Sequence, residues 1–222
     1  MTLFRIALFA VTVVVATSAS AQIVQNGSFE SFTGAFGGDN GAQLIGSSTT
    51  LTGWTIVGGE IAILKNPNAY NLTASDGVNF LDLAGYSNAG FPKGVSQVLT
   101  GLSAGQTYTL SVDLGIRNGA CVSGGNNCRG PIQVSASVAG TSQAFTHSST
   151  TDGNVWGTFS SNFVANDSSA LLTVQGVSLP AGNQYIGLDN VSVSPVPEPT
   201  AWGLMLAGLV TAGVMGRRRR AG

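Results

Sequence analysis

The chain has 222 residues, enough for one domain or at most two, and only 9% of them are charged, against about 25% in ordinary globular proteins. Glycine (31 residues), with many Ser, Thr and Asn, takes their place, giving a surface kept in solution by hydroxyls and amides. Between residues 22 and 195, four basic side chains stand against nine acidic ones, a net charge of −5 that repels a phosphate backbone and excludes nucleic acid as a partner.

In chain order, the first element is a secretory signal over residues 1–21. Arg5 precedes an apolar run, Leu8 to Val15, broken only by Thr12, and Ala19-Ser20-Ala21 gives a small-x-small cleavage pattern before Gln22. The apolar run is shorter than the roughly 20 residues that a bilayer span needs, so it reads as a substrate of the secretion machinery and not as an anchor. The foldable part is then a single domain over residues 22–195.

No window of that domain sustains a helical period. In Thr107-Tyr108-Thr109-Leu110-Ser111-Val112-Asp113-Leu114 the even positions are apolar and the odd ones polar, which predicts a half-buried strand with Tyr108, Leu110, Val112 and Leu114 inward and Asp113 on the polar face. Ile132 to Val138 alternates in the same way, and Ile186 to Val193 does so in part. Gly, Asn, Ser and Asp cluster at 37–41, 87–90, 124–127 and 166–169 and mark the turns. About ten short strands without a repeated unit predict an all-β fold, an antiparallel two-sheet sandwich or jelly roll, and not a propeller or solenoid. Phe29, Trp54, Tyr108 and Trp156 are its expected core aromatics, and Gln97 is expected to hydrogen-bond the backbone of a neighbouring strand.

The two cysteines, Cys121 and Cys128, lie in a loop rich in Gly and Asn. In an oxidising compartment a local disulfide is the default; the alternative, a metal site, lacks further ligands because His147 is the sole histidine. That single histidine, in a strand end running into a polar loop, also leaves a Ser-His-Asp arrangement without support, and no Gly-x-Ser-x-Gly elbow is present. Glycosidase chemistry needs two carboxylates, for which Glu30, Glu60, Asp82 and Asp113 are candidates. A small sandwich with short loops offers little material for the deep, partly apolar cleft that keeps a carboxyl protonated. The chain therefore reads as non-catalytic.

At the C-terminus, Val196-Pro197-Glu198-Pro199 is followed by an apolar run from Thr200 to Gly216 and then by Arg217, Arg218, Arg219 and Arg220. The prolines hold the chain extended, so a transmembrane helix is expected from about Thr200, and the arginines act as its cytoplasmic stop-transfer block. This segment, 196–222, resembles the PEP-CTERM sorting signal of Gram-negative bacteria, with Pro197, Glu198 and Pro199 as the recognition motif. The resemblance implies an exosortase partner that cuts near the motif, a transient inner-membrane anchor, and a final location at the cell surface or in an extracellular biofilm matrix.

Within residues 22–195, Asn26-Gly27-Ser28-Phe29-Glu30, Thr52-Gly53-Trp54, Leu81-Asp82-Leu83-Ala84-Gly85, Val95-Ser96-Gln97, Ala104 to Leu110 and Leu188-Asp189-Asn190-Val191 follow in order. This order resembles galactose-binding-like jelly-roll modules, in particular the choice-of-anchor C group of bacterial surface proteins. The resemblance implies carbohydrate or exopolysaccharide binding, with Tyr70, Tyr86 and Phe91 as the loop rings on which a sugar face would stack. It also implies a structural calcium between the first and last strands, ligated by Glu30 and Asp189 together with backbone carbonyls. The alternative is a structural or adhesive envelope protein without a sugar site.

Overall fold

A computed structural model describes residues 23–36, 42–45, 50–68, 72–85, 90–118, 130–151, 153–179 and 185–197. The signal peptide, Tyr70, Tyr86, Cys121, Cys128, Glu198, Pro199 and the apolar tail with Arg217 to Arg220 lie outside the described residues.

Short strand-forming runs assemble into two facing antiparallel sheets, the sandwich expected from the alternation. One sheet has six strands in the order β11 (Gly153–Val164), β8 (Thr107–Asn118), β13 (Gly187–Pro195), β6 (Asn79–Asp82), β5 (Ile61–Lys65) and β2 (Ala42–Ile45). The other has five, ordered β10 (Thr141–His147), β9 (Ile132–Val138), β12 (Ser169–Val177), β7 (Lys93–Thr100) and β4 (Thr55–Val57). A two-stranded ribbon joins β1 (Phe32–Thr33) to β3 (Thr50–Leu51). Among the described residues there is no helix.

On β8, Tyr108, Leu110, Val112 and Leu114 are buried as the pattern predicts, and β9 alternates buried and half-buried along its whole length. Asp113 departs from expectation: it is only 5% exposed. Both faces of β8 are covered there, because a second apolar cluster (Ala62, Leu64, Leu72, Phe80 and Tyr185, with Trp156 against it) sits on the outer side of the six-stranded sheet. The Trp156 indole lies over Gly115, where a Cβ would come within 2.7 Å of the ring, and its Nε1–H donates to the Thr73 carbonyl at 2.7 Å. Sheets solvated on one face alternate cleanly, whereas doubly covered stretches do not. Trp156 is thus half-buried in this outer cluster, while Phe29, Trp54 and Tyr108 belong to the main core between the sheets.

The opening motif works as a staple. Asn26 takes a left-handed conformation (φ 53), which Asn tolerates better than most residues. Its Nδ2 donates to the carbonyls of Ser31 (2.8 Å) and Thr52 (3.0 Å), and its Oδ1 accepts the Ser31 N–H at 3.0 Å. Its own carbonyl accepts the Trp54 Nε1–H at 2.9 Å, and the Gly27 carbonyl accepts the Val191 N–H of β13 at 2.9 Å. Phe29 then packs on Trp54 with ring centroids 5.6 Å apart. Residues distant in sequence are thereby locked to the last strand.

Candidate functional site

Three carboxylates hold one loop on the outer face of the six-stranded sheet. Asp113 and Asp189 are register partners on β8 and β13, so their side chains share that face. Asp189 Oδ2 accepts the N–H groups of Ser75 (2.8 Å) and Asp76 (2.9 Å), and its Oδ1 accepts the Asn190 N–H at 2.7 Å. Asp113 accepts the Ser75 and Thr158 hydroxyls, each at 2.6 Å, and the Asn190 Nδ2–H at 3.1 Å. From the other side, Glu30 Oε1 accepts the N–H groups of Val78 and Asn79, both at 2.8 Å, and its Oε2 accepts Asn79 Nδ2–H at 3.2 Å. Glu30 and Asp189 therefore reach opposite ends of the same segment, 75–79.

Burial pushes the Asp189 carboxyl up to about 7; its three backbone N–H bonds pull the other way, and the like charge of Asp76 adds to the rise. Charge buried without a cationic hydrogen-bond partner costs free energy, and the hydrogen bonds of Glu30 and Asp189 all come from N–H donors. Among the described residues, no group of three or more His, Cys, Asp or Glu is placed to hold a metal ion.

The other candidate residues are dispersed. Asp82 Oδ1 accepts the N–H groups of Ala84 (3.0 Å) and Ile186 (3.1 Å), tying the end of β6 to the approach of β13. Burial raises this carboxyl to about 7, against its two N–H bonds and the nearby Lys93 ammonium, which favour the charged form. Glu60 is exposed in the turn between β4 and β5. His147, at the end of β10, sits edge-on to Phe159 with ring centroids 5.5 Å apart, and its Nε2 lies 3.2 Å from the Val155 carbonyl. Phe91, just ahead of β7, is half-buried against the core, with the Lys93 ammonium 5.9 Å from its ring centroid.

Sequence reasoning missed a cleft. Its volume is about 560 Å³, and it is lined by Ile23, Gln25, Gly53, Thr55, Ser96, Gln97, Val98, Thr100 and Leu171. Gln97 builds it: its Oε1 accepts the Gln25 N–H at 2.8 Å, and its Nε2 donates to the carbonyls of Gln25 (2.9 Å) and Gly53 (2.8 Å). The expected backbone contact of Gln97 is present, but its partners are the segment before Asn26 and a turn, not a neighbouring strand. The signal in the sequence was a lone amide in an apolar-facing strand position, which periodicity alone cannot interpret.

With this geometry in place, the sequence itself matches the HpiC1-like family (HpiC1 cyclase) over residues 4–194. The chain belongs to the HpiC1-like family. A PEP-CTERM protein-sorting motif follows the HpiC1-like domain at residues 195–220. The chain is 30% identical over 186 residues to halomucin of Haloquadratum walsbyi (strain DSM 16790 / HBSQ001); the match covers 82% of this chain but spans only 2% of halomucin. Among solved structures, the arabinose-bound α-L-arabinofuranosidase MgGH51 shares the fold at a TM-score of 0.50, with 15% identity over 79% of this chain and 26% of that one. The CBM22-1 xylan-binding domain of Paenibacillus barcinonensis Xyn10C aligns at a TM-score of 0.39, with 18% identity over 67% and 89% of the two chains.

Proposed function

We propose that this HpiC1-like chain is an exported, non-catalytic protein of the cell surface or extracellular matrix that binds polysaccharide and is processed at its C-terminus by an exosortase. The observation that carries the reading is the direct succession of an HpiC1-like domain and a PEP-CTERM motif, with no intervening segment between residues 194 and 195. In this account the secretion machinery removes residues 1–21, the apolar tail holds the protein transiently in the inner membrane, and Pro197, Glu198 and Pro199 present the chain to the protease. Cys121 and Cys128 pair in the oxidising compartment.

Asp82 and Asp189 titrate near neutrality, as an acid catalyst must. Their hydrogen bonds, however, go to backbone N–H groups that fix loops, and both residues are buried, which supports structural work over proton transfer. Calcium at Glu30 and Asp189 would serve the same purpose, fastening the 75–79 segment to β13. The sparsely charged, hydroxyl-rich surface favours a saccharide ligand, with Tyr70, Tyr86 and Phe91 as stacking rings. A glycan array probed with exported protein tests this: Phe91→Ala is expected to weaken binding to the preferred glycan by about tenfold, the worth of about 1.4 kcal/mol of stacking. Absence of binding to any glycan would refute the carbohydrate reading.

One observation favours the structural or adhesive alternative. Edge strand β11 runs for 12 residues without a charged side chain or a proline, and such edges invite pairing with another chain.

A further inference from the structure

We infer that the cleft between the Gln25 segment and β12 is a binding site for a neutral, hydroxyl-rich chain, an uncharged segment of polysaccharide, separate from Phe91. The inference deepens the carbohydrate reading above and rests on it. Sheet register explains the composition of the cleft. Thr55 pairs with Ser96 and Leu171 pairs with Val98, and Ser96, Val98 and Thr100 alternate outward from β7. The floor is thus a strip of hydroxyls crossed by two aliphatic side chains.

Those aliphatics are unusually open for their size: Val98 is 62% exposed and Leu171 58%. The polar groups around them are unengaged. The Gln25 side-chain amide and the hydroxyls of Thr55, Ser96 and Thr100 make no hydrogen bond among the described residues, yet all four face the cleft. An amide donates and accepts, as does each hydroxyl, so the cleft offers both partners that a sugar hydroxyl needs. Val98 and Leu171 supply apolar contact for the C–H face of a ring. No charged side chain lines the cleft, so an anionic chain would lose its counter-ions without gaining a partner. The wall is preorganised, because Gln97 spends its whole amide on the backbone of Gln25 and Gly53. Gly53 (φ 80) is needed there as well: a Cβ would come within 3.0 Å of Gln25 Oε1.

The test is affinity electrophoresis of the exported, processed protein in gels carrying one polysaccharide each: xylan, galactan and dextran as neutral probes, and alginate as an anionic one. Val98→Glu and Leu171→Glu put charge into the cleft at exposed positions, and unchanged melting temperatures confirm that they fold. The wild type is expected to be retarded by at least one neutral probe, with at least tenfold weaker binding in each variant and none to alginate. Retardation that persists in both variants but is lost in Phe91→Ala overturns the cleft and leaves the carbohydrate reading standing. Binding to alginate alone also overturns the cleft, whereas no retardation by any probe overturns both readings.

Discussion

At the residue scale, side-chain amides and carboxylates do the work that longer charged side chains do elsewhere. Gln97 makes three hydrogen bonds to backbone at a site that is nearly closed to water. Replacing it with Leu leaves an N–H and two carbonyls without partners, each costing about 1–3 kcal/mol when buried. Because the cleft lets water reach part of that surface, we expect Gln97→Leu to destabilise by about 3 kcal/mol in urea unfolding. Asp82 carries a different signature. Its carboxyl is raised from 3.8 to about 7 in the folded chain, so the native state binds more protons than the unfolded state between those values, and stability falls as pH rises through that window. Asp82→Asn keeps the acceptor for Ala84 and Ile186 but cannot ionise. It is expected to remove a slope of about 1.4 kcal/mol per pH unit between pH 4 and 7; urea melts of both proteins across that range would show it, and parallel pH curves would contradict it.

At the scale of elements, the strands were legible wherever one face meets water, as in the first half of β8 and in β9, because burial then writes a period of two into the sequence. Asp113 lies on the polar face of β8 as expected, but its burial was not legible: the cover on that face comes from Leu72, Phe80 and Trp156, which are distant in sequence and show no joint pattern. The opening and closing motifs were recognisable as motifs, but their role as a staple was not, since it depends on Asn26 facing Thr52 and on Gly27 facing Val191. The cleft was illegible because its walls come from four separated segments. The loop held by Glu30 and Asp189 yields a direct prediction. If calcium binds there, hundredfold excess over Kd adds about 2.7 kcal/mol, or about 5–10 °C in Tm for a domain of this size. Glu30→Ala and Asp189→Ala should each abolish the difference between calcium and chelator, and a wild-type melting curve that ignores both would remove the metal.

At the scale of the whole molecule, the two ends of the sandwich differ. The Val196 N–H donates to the Thr107 carbonyl at 2.9 Å, and Gln106 Nε2–H donates to the Val196 carbonyl at 2.8 Å. The chain therefore leaves the domain at the start of β8. Phe91 precedes the start of β7, and β7 ends at Thr100, on the side where β8 begins. A tail held in the membrane would turn the Phe91 end outward, toward the matrix. That arrangement depends on the tail being a sorting signal. A permanent anchor has no need of a Pro-Glu-Pro triplet, and the apolar run from Thr200 to Gly216 is short and contains four glycines, a poor span where about 20 apolar residues are needed. The direct measurement is the intact mass of the surface form purified from its native host. A polypeptide that begins at Gln22 and lacks the segment from about Thr200 onward is the expected result; a major surface species still ending in Arg220-Ala221-Gly222 would contradict it.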